Sequence, residues 1–329
     1  MPISENSLGF MILNYNGGQW IAPLLASLRD NGCQNMRMYI VDNASTDGSV
    51  HSVLREYPDV TIIQMPKNMG YSMAYNLAMP YAFADGCKWV IWANYDILLE
   101  PGCLSEMIRA AESDPGIGVV GPAFISWESD APNYYMTGNH PHLIQAMEAR
   151  SATPVDVDWV EGSLLMVSRS IVETVGPLDP RFFMFWEEAE FCRRVRFSGK
   201  RVVLVPSARA RHYGGMSNLR KSKMSRRDWL LARNFHIYTL TDPHRSFACN
   251  LLASARLLAT NLKRGFTESP GAVSLELRAY AAALMRIGVW YRKWLHDRRH
   301  VPPEPLAKKF NGIQPEILTP VSHEAAIAK

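Results

Sequence analysis

The alternation of strand-like and helix-like segments over the first hundred residues constrains the fold of this chain more than any other feature. Short apolar runs predict strands, and they lie at 8–13, 38–41, 60–65 and 89–93. Periodic segments between them predict helices, the first with Ile21, Leu24, Leu25 and Leu28 on one face and the third ending near Pro80. Such β-α repeats favour an α/β fold with a doubly wound, mostly parallel sheet. Ligands of such sheets bind beyond the carboxyl ends of the strands.

The remaining chain divides by pattern into three parts. The less regular stretch up to residue 225 predicts strands at 118–120, 160–167 and 201–205, and a variable loop at 127–152. Residues 226–300 predict helices. One helix face is expected to carry Leu251, Leu252, Ala255, Leu258 and Leu262, and another to carry Leu277, Ala281, Leu284 and Gly288. The tail 301–329 contains proline and lacks periodicity, so we expect it to be flexible.

Composition excludes several classes of protein. The 329 residues are 47% hydrophobic and 20% charged, which is typical of a globular chain. A net charge of +4 is too small to indicate a nucleic-acid partner. The apolar runs are shorter than the roughly 20 residues that cross a bilayer, and the N-terminus lacks the basic segment of a signal peptide. Five scattered cysteines without a CxxC pair fit a reducing cytoplasm.

The segment 116–121 satisfies the GxGxxG pattern of dinucleotide-binding folds. That pattern binds a pyrophosphate only where it follows a strand and opens a helix. Here Asp114-Pro115 precedes it, Pro122 follows it, and the segment itself is strand-like. We therefore interpret the match as coincidental.

Five segments carry the residue types of a nucleotide and acid–base site: VDNASTDGS at 41–49, KNMGYSMAYN at 67–76, NYDILLEPG at 94–102, FFMFWEEAEFCRRVRFSG at 182–199 and PSARARHYGG at 206–215. In this order and spacing the chain resembles glycosyltransferase family 2, in particular its rhamnosyltransferase- and galactofuranosyltransferase-like members. The resemblance covers about 8–233. It implies a GT-A fold, with a nucleotide-binding half at about 1–100 joined to an acceptor half at about 101–225. It also implies sugar transfer from a nucleoside diphosphate with inversion at the anomeric carbon.

The resemblance implies a nucleotide site at the ends of the first strands. Asp42 is expected to read the base and ribose, and Asn68 and Gly70 to form a loop against the nucleotide. The remaining residues placed in this site are Asn14, Tyr15, Asn16, Asn43, Asn94 and Asp96. Two alternatives stay open from the residues themselves: Asp42 is a turn or capping residue, and Gly70 is a loop glycine with positive φ.

Asn94-Tyr95-Asp96 stands where the family has its metal-binding Asp-x-Asp. A hard divalent cation, Mg²⁺ or Mn²⁺, neutralises a diphosphate leaving group through oxygen ligands. Asn94 replaces the first aspartate, which removes one anionic ligand. The resemblance assigns His212 as a further metal ligand, and a structural histidine or a solvated Asp96 is the alternative.

The resemblance implies that Glu188 is the catalytic base, because it stands at the second acidic position after an aromatic residue, where the family usually has an aspartate. Helical spacing places it on the inward stripe of Cys192 and Val195, at the N-terminus of a helix that ends before Gly199. Burial raises the pKa of such a carboxyl and a helix N-terminus lowers it, so the residues leave the balance open. Glu187 is the second candidate base, and a capping role for Glu188 is the alternative. Glu190 and Arg194 are expected to form an ordinary surface pair.

Basic residues crowd the C-terminal half. Arg209, Arg211 and the cluster from Arg220 to Arg227 either hold phosphates on a closing loop or form a solvated face. The C-terminal helices carry basic and aromatic residues among leucines: Arg256, Lys263, Arg264, Arg286, Arg292 and Lys293, with Trp290, Tyr291 and Trp294. Such a pattern fits contact with an anionic membrane, and packing on the main domain or a homodimer contact is the alternative.

The resulting hypothesis is a bacterial inverting glycosyltransferase at the cytoplasmic face of the membrane. It would take a UDP- or dTDP-sugar, for example dTDP-rhamnose, as donor and a lipid-linked or polysaccharide acceptor. A sugar-1-phosphate nucleotidyltransferase is a second hypothesis, but it needs a basic glycine-rich loop that 14–18 lacks. A degenerate glycan-binding scaffold on the same fold is the third.

Overall fold

The computed structural model describes residues 7–32, 36–133, 141–214, 226–268, 270–299 and 313–318. These residues form a ten-stranded mixed sheet with helices on both faces. The strands are β1 (Leu8–Asn14), β2 (Arg37–Asp42), β3 (Thr61–Gln64), β4 (Trp89–Asn94), β5 (Ile97–Leu99), β6 (Ile117–Ile125), β7 (Val155–Asp156), β8 (Leu164–Ser168), β9 (Arg201–His212) and β10 (Glu316–Leu318). The helices are α1 (Gly18–Asp30), α2 (Ser49–Glu56), α3 (Gly70–Ala84), α4 (Cys103–Ser113), α5 (Pro141–Glu148), α6 (Arg169–Val175), α7 (Glu187–Phe197), α8 (Arg226–Leu240), α9 (Phe247–Glu268), α10 (Pro270–Leu284) and α11 (Ile287–Arg298).

The N-terminal half confirms the predicted alternation. Strands β3, β2, β1 and β4 are adjacent and parallel. Phe10 and Ile12 of β1 pack into the core on one face with α1, α2 and α4, whereas Met11 packs into the core on the other face with α3 and α7. Because β1 is buried on both faces, its sequence is continuously apolar. The register brings Asn14 opposite Asp42 and Leu13 opposite Asn94, so the polar ends of three strands share one edge.

The sheet continues through β8, β6, β9 and β5, and here it is mixed. Strand β8 runs antiparallel to both β4 and β6, while β6 and β9 are parallel. The GxGxxG match overlaps β6, as expected for a coincidental motif. Strand β9 is longer than predicted and includes His212, which pairs with Ile97 of β5.

Three local predictions were wrong. Helix α3 continues through Pro80 to Ala84, because its burial on almost every side outweighs the roughly 3 kcal/mol that an interior proline costs. Helix α5 lies inside the predicted loop. Within the tail expected to be flexible, Glu316–Leu318 pairs with the edge strand β3 as β10; the rest of 301–329 apart from 313–315 lies outside the described residues.

The apolar faces predicted for α9 and α10 are only partly buried. Leu252 and Leu277 are exposed, while Ser254 and Glu276 are buried. His236 of α8 accounts for the burial of these two polar residues, because its Nδ1 lies 3.0 Å from the Ser254 hydroxyl and its Nε2 lies 2.8 Å from Glu276 Oε1. Buried polar groups need such partners, and hydrogen bonding sets the orientation of both helices.

Helix α11 packs one side against the protein interior and leaves the other side exposed. Trp290 and Lys293 are buried, and the Trp290 indole N–H donates to the Ala283 carbonyl. Lys293 Nζ lies 2.7 Å from Glu190 Oε1, 2.7 Å from Asp297 Oδ2 and 3.6 Å from Asp179 Oδ2.

Glu190 and Arg194 form the predicted ion pair, but the prediction that this pair lies on the surface was wrong. Glu190 is fully buried and accepts two hydrogen bonds from the Arg194 guanidinium, at 2.8 and 3.0 Å. Burial alone would raise the pKa of Glu190, but Arg194 and Lys293 hold it well below its usual range. The ion cluster of Glu190, Arg194, Lys293, Asp179 and Asp297 joins α7 to the C-terminal helices.

Replacing Lys293 with methionine is expected to destabilise the protein by about 3–5 kcal/mol, because it leaves buried carboxylates without their cation. Chemical denaturation measures this loss. Arg292→Met is the matched control, since Arg292 is exposed on the same helix and its replacement should change stability by less than about 0.5 kcal/mol.

The pKa of Glu190 is depressed in the folded state, so the stability it contributes is present above its unfolded pKa of 4.5 and is lost as the pH falls below it. The difference between wild type and Lys293→Met should therefore shrink in acid. If Lys293→Met and Arg292→Met lost the same free energy of unfolding at pH 7, the role of the ion cluster would be contradicted.

Candidate active site

Polar side chains at the ends of β1 and β2 form a closed hydrogen-bond network. Asn14 Nδ2 donates to Asp42 Oδ1 at 2.9 Å and lies within 3.0 Å of the hydroxyls of Ser45 and Ser49. Asp42 Oδ2 accepts from the Ser45 amide and from Gln64 Nε2, both at 3.2 Å. Asp42 is fully buried. In this structure it therefore holds the 43–49 loop in place, as in the turn alternative.

Asn43, Asn68 and Gly70 form a second part of the same edge. Asn43 Nδ2 donates to Asn68 Oδ1 at 3.1 Å, and Asn43 Oδ1 accepts from the Met69 amide at 2.7 Å. Gly70 has φ +77°, and a Cβ there would collide with the carbonyl and ring of Phe183. The predicted positive φ is confirmed, and the glycine also allows the loop to approach the segment before α7.

Tyr15 and Asn16 stand at the rim of this edge. Tyr15 is exposed, and Asn16 has φ +56° with its side-chain oxygen accepting from the Thr46 amide at 2.8 Å. Tyr95 lies against Gly17, where any Cβ would meet its ring. The rim therefore offers an exposed aromatic ring beside rigid loops.

Asp96 and His212 come together because β5 turns back from β4 and pairs with β9. His212 Nε2 lies 3.3 Å from Asp96 Oδ1, and its Nδ1 lies 2.7 Å from Glu161 Oε1. Burial would lower the pKa of His212, but the bonds to Asp96 and Glu161 raise it to about 10. Asp96 is buried, so the alternative of a solvated strand-end residue does not apply.

This pair fits a divalent cation that takes most of its ligands from elsewhere. Among the described residues there is no group of three or more His, Cys, Asp or Glu side chains with metal-ligand geometry. An oxygen from Asp96 and Nε2 of His212 converge, and Mg²⁺ commonly binds through one or two carboxylates plus phosphate and water. Asn94 lies at the end of β4, where its backbone N–H donates to the backbone carbonyl of Ser163 at 2.8 Å.

The 161–163 turn connects this pair to the acidic helix α7. Gly162 lies so close to α7 that a Cβ would approach Glu188 Cγ and the Tyr71 hydroxyl to 3.3 Å each. The Tyr71 hydroxyl donates to the Gly162 carbonyl. Glu161 also raises the pKa of Glu188 through its charge. Asp96, His212, Glu161 and Glu188 thus border one region of the molecule.

Glu187 and Glu188 open α7 as a pair of buried carboxyls. Oε2 of each has no hydrogen-bond partner among the described residues. Burial raises the pKa of Glu188 to about 7 and raises that of Glu187 well above its usual range, so burial outweighs the helix N-terminus. Glu188 is the more accessible of the two. Cys192 and Val195 are buried below it, as the predicted stripe requires.

The entry to α7 is held in an unusual backbone conformation. Phe185 and Trp186 have φ +73° and +71°, which side chains with a Cβ seldom adopt. Asn234 of α8 donates to the carbonyls of Met184 and Phe185 at 2.8 and 2.9 Å. The Trp186 ring stacks on Phe235 with centroids 4.4 Å apart. Helix α8 therefore fixes the direction in which Glu188 leaves the helix.

The basic residues proposed to hold phosphate have other partners. Arg211 bonds Glu100 and Asp130, each at 2.6 Å, and Arg209 donates to backbone carbonyls. Arg226 and Arg227 lie over the rings of Phe183 and Phe185. Residues 215–225, with Arg220, Lys221 and Lys223, lie outside the described residues.

Sequence reasoning missed Glu161 and Asn234. Glu161 lies inside a predicted strand, and no motif marks it. A glutamate directly before a glycine in an apolar segment was the available signal, because charged residues are rare inside buried strands.

A mixed, mostly parallel sheet of this strand order with helices on both faces is the GT-A fold of glycosyltransferases. The chain belongs to glycosyl transferase family 2, whose family model matches residues 10–176.

The chain is similar to several glycosyltransferases. It is 28% identical over 234 residues to N-acetylglucosaminyl-diphospho-decaprenol L-rhamnosyltransferase of Mycobacterium tuberculosis, covering 63% of this chain and 76% of the relative. It is 23% identical over 255 residues to dTDP-rhamnosyl transferase RfbF of Shigella flexneri, covering 72% and 83%. Mannosyltransferase PcManGT of Pyrobaculum calidifontis, solved with GDP-Man and Mn²⁺, superimposes with a TM-score of 0.53 at 17% identity over 89% of this chain and 85% of that one. S. aureus TarS 1-349 gives 0.53 at 14% identity over 89% of both chains.

Glu188→Gln is expected to lower kcat by about 10²–10⁴-fold while donor affinity is unchanged, because the amide cannot accept the proton of the acceptor hydroxyl. Initial rates of transfer and calorimetric donor binding measure the two effects. In wild type, kcat should fall as the pH drops below about 7, where Glu188 becomes protonated.

Glu187→Gln is the matched control, with the same chemical change one residue away. A larger loss of kcat in this variant than in Glu188→Gln would reverse the assignment of the base.

Proposed function

We propose that this chain is an inverting glycosyltransferase that uses a nucleoside-diphosphate sugar and builds a surface glycan on a lipid-linked or polysaccharide acceptor. The observation that carries this proposal is the arrangement of Glu188 and the Asp96–His212 pair around the 161–163 turn. The names of the relatives, which include a diphospho-decaprenol rhamnosyltransferase and a dTDP-rhamnosyl transferase, support dTDP-rhamnose as the first donor to test.

In the proposed reaction, the acceptor oxygen forms a bond to the anomeric carbon as the bond from that carbon to the diphosphate breaks. The proton of the acceptor hydroxyl passes to the carboxylate of Glu188. A single displacement of this kind inverts the anomeric centre. Glu187 stays protonated in its buried position and so limits the negative charge beside the base.

Asp96 and Nε2 of His212 would hold a divalent cation, which supplies charge neutralisation for the departing diphosphate. Structural neighbours solved with Mn²⁺ support the presence of a divalent cation in the proposed reaction. On the nucleotide side, Tyr15, Asn16, Asn68 and Asn94 lie at the strand ends, whereas Asp42, Asn14 and Asn43 hold their loops in position.

Glu161 orients His212 in this proposal. A histidine that binds a metal through one nitrogen commonly gives its other N–H to a carboxylate, which fixes the ring and its tautomer. The 2.7 Å contact between Nδ1 and Glu161 Oε1 leaves Nε2 directed at Asp96. Glu161 therefore restores part of the negative charge that Asn94 lacks.

No helix among the described residues is long and apolar enough to cross a membrane. We place the enzyme on the cytoplasmic side, where nucleotide sugars are available and free cysteines such as Cys87 and Cys192 stay reduced.

The degenerate-scaffold alternative predicts donor binding without turnover. Hydrolysis of dTDP-rhamnose and UDP-sugars without acceptor, measured with and without Mn²⁺, separates it from an enzyme. Turnover in this assay, with the product anomer identified by NMR, is the expected result. Donor binding without any turnover across the nucleotide-sugar panel would reject the enzymatic proposal.

Asp96→Ala is expected to abolish Mn²⁺-dependent donor binding, because it removes an anionic ligand. Thermal shifts with donor, in the presence and absence of Mn²⁺, measure the effect. Asp59→Ala, which removes an exposed carboxylate before β3, is the control and should behave as wild type. An unchanged Mn²⁺-dependent shift in Asp96→Ala would reject its role.

Glu161→Ala is expected to weaken Mn²⁺ binding by about 10–100-fold, because the His212 ring loses its fixed orientation. Electron paramagnetic resonance of free Mn²⁺ in the presence of donor measures affinity independently of turnover. Glu161→Asp should recover part of the affinity. Wild-type Mn²⁺ affinity in the alanine variant would exclude an orienting role.

A further inference from the structure

The buried sides of α9 and α10 carry the polar residues Ser254 and Glu276, as described above, and the buried side of α10 also carries Leu275, Ala279 and Ala283. Large hydrophobic side chains on their outer sides are strongly exposed: Leu252 at 59%, Phe266 at 76%, Leu277 at 47% and Met285, directly after α10, at 80%. A soluble chain seldom leaves such side chains in water without a partner.

The exposed side chains of the two helices face the same way. Ser254 of α9 and Glu276 of α10 both point at His236 of α8. At 100° per residue, Leu252 and Ala259 lie opposite Ser254, and the 285 position lies opposite Glu276. A hydrogen bond from Asn261 Nδ2 of α9 to Glu276 Oε1 of α10, at 2.9 Å, holds the two helices side by side. Their outer sides therefore form one continuous surface that looks away from α8.

The charge on this surface is of one sign. Arg256, Lys263 and Arg278 are exposed on it. Glu276 is the one acidic residue of α9 and α10 whose side chain is described, and it is buried. Apolar side chains interspersed with cations and without acids match an anionic lipid surface.

We propose that this outer surface of α9 and α10, formed by Leu252, Arg256, Lys263, Phe266, Leu277, Arg278 and Met285, docks on an anionic phospholipid membrane. The apolar side chains enter the boundary between headgroups and acyl chains, and the cations contact the phosphates. An isologous dimer through the same surface would bring like charges together, which disfavours a second copy as the occupant.

The sequence pointed to Arg256 and Lys263 of this surface together with aromatic and basic residues of α11. Trp290 and Lys293 of α11 are buried, so these two side chains support α7 and are not available to a membrane. The inference deepens the proposed function, which names a lipid-linked acceptor, by identifying the surface that brings the enzyme to that acceptor.

Co-sedimentation of the full chain with vesicles tests this surface. The chain is expected to bind vesicles of 30 mol% phosphatidylglycerol in phosphatidylcholine, and to bind pure phosphatidylcholine at least tenfold more weakly. The variant Leu252→Gln/Phe266→Gln/Met285→Gln should lose at least tenfold in binding while its thermal unfolding stays near that of wild type, because glutamine suits exposed helix positions.

A second variant removes only charge. Arg256→Gln/Lys263→Gln/Arg278→Gln should weaken binding by about a hundredfold, since each cation near an anionic surface contributes about fivefold. The charge-matched control is Arg37→Gln/Arg55→Gln/Lys88→Gln, which removes three exposed cations from the N-terminal half. It should bind within about threefold of wild type.

Several outcomes would overturn the proposal: no binding of wild type to anionic vesicles, equal binding of the apolar variant, or equal losses in the charge variant and its control. A wild-type dimer in solution that the apolar variant dissociates, without vesicle binding, would identify a second copy instead. Donor hydrolysis without vesicles separates the two proposals. Its absence in a chain that binds vesicles rejects the enzymatic function and leaves the membrane surface intact.

Discussion

The buried carboxylate of Glu190 is the contact on which the active-site geometry depends. It is held by Arg194 from its own helix and by Lys293 from α11. This double attachment fixes α7, and the first turn of α7 carries two buried carboxyls and follows two residues in left-handed conformations. Such residues cost on the order of 1–3 kcal/mol each and persist only where surrounding structure holds them. The ion cluster and the Asn234 contacts supply that support, so Glu188 keeps one direction.

The C-terminal helices are therefore part of the catalytic scaffold. Helix α8 binds the loop before α7 through Asn234 and Phe235, and α11 binds α7 through Lys293. The family match ends at residue 176, before α7 begins, whereas these supporting contacts come from residues beyond 226. We interpret the helices after residue 226 as a unit with two roles. Helices α8 and α11 hold the segment that carries the proposed base, whereas the outer side of α9 and α10 is exposed and can contact a binding partner.

The parallel half of the fold could be predicted because each strand there is short, apolar and followed by a turn cluster. The resemblance proposes Asp96, His212 and Glu188 as site residues, and the structure brings them to the border of one region. The burial of Glu190 could not be predicted, because an i, i+4 Glu–Arg pair has the same sequence pattern on a surface and in a core. Lys293, which completes the buried cluster, lies about a hundred residues away in the chain. The burial of Ser254 in α9 and Glu276 in α10 escaped prediction for a related reason. It depends on the hydrogen bonds of His236, whereas hydrophobic periodicity reports only which apolar residues share a face.

Glu161 shows how one unmarked residue can join the two parts of the site. Its carboxylate contacts Nδ1 of His212, and its charge raises the pKa of Glu188, while its neighbour Gly162 lets the 161–163 turn lie against that glutamate. Asn94 has left the strand end with one carboxylate fewer than the family motif. Because Glu161 acts through His212, it adds negative charge beside the Asp96–His212 pair without occupying a ligand position on that pair. Burial, together with this charge, raises the pKa of Glu188 above that of an isolated glutamate, which is the property that the proposed base needs to remove an acceptor proton.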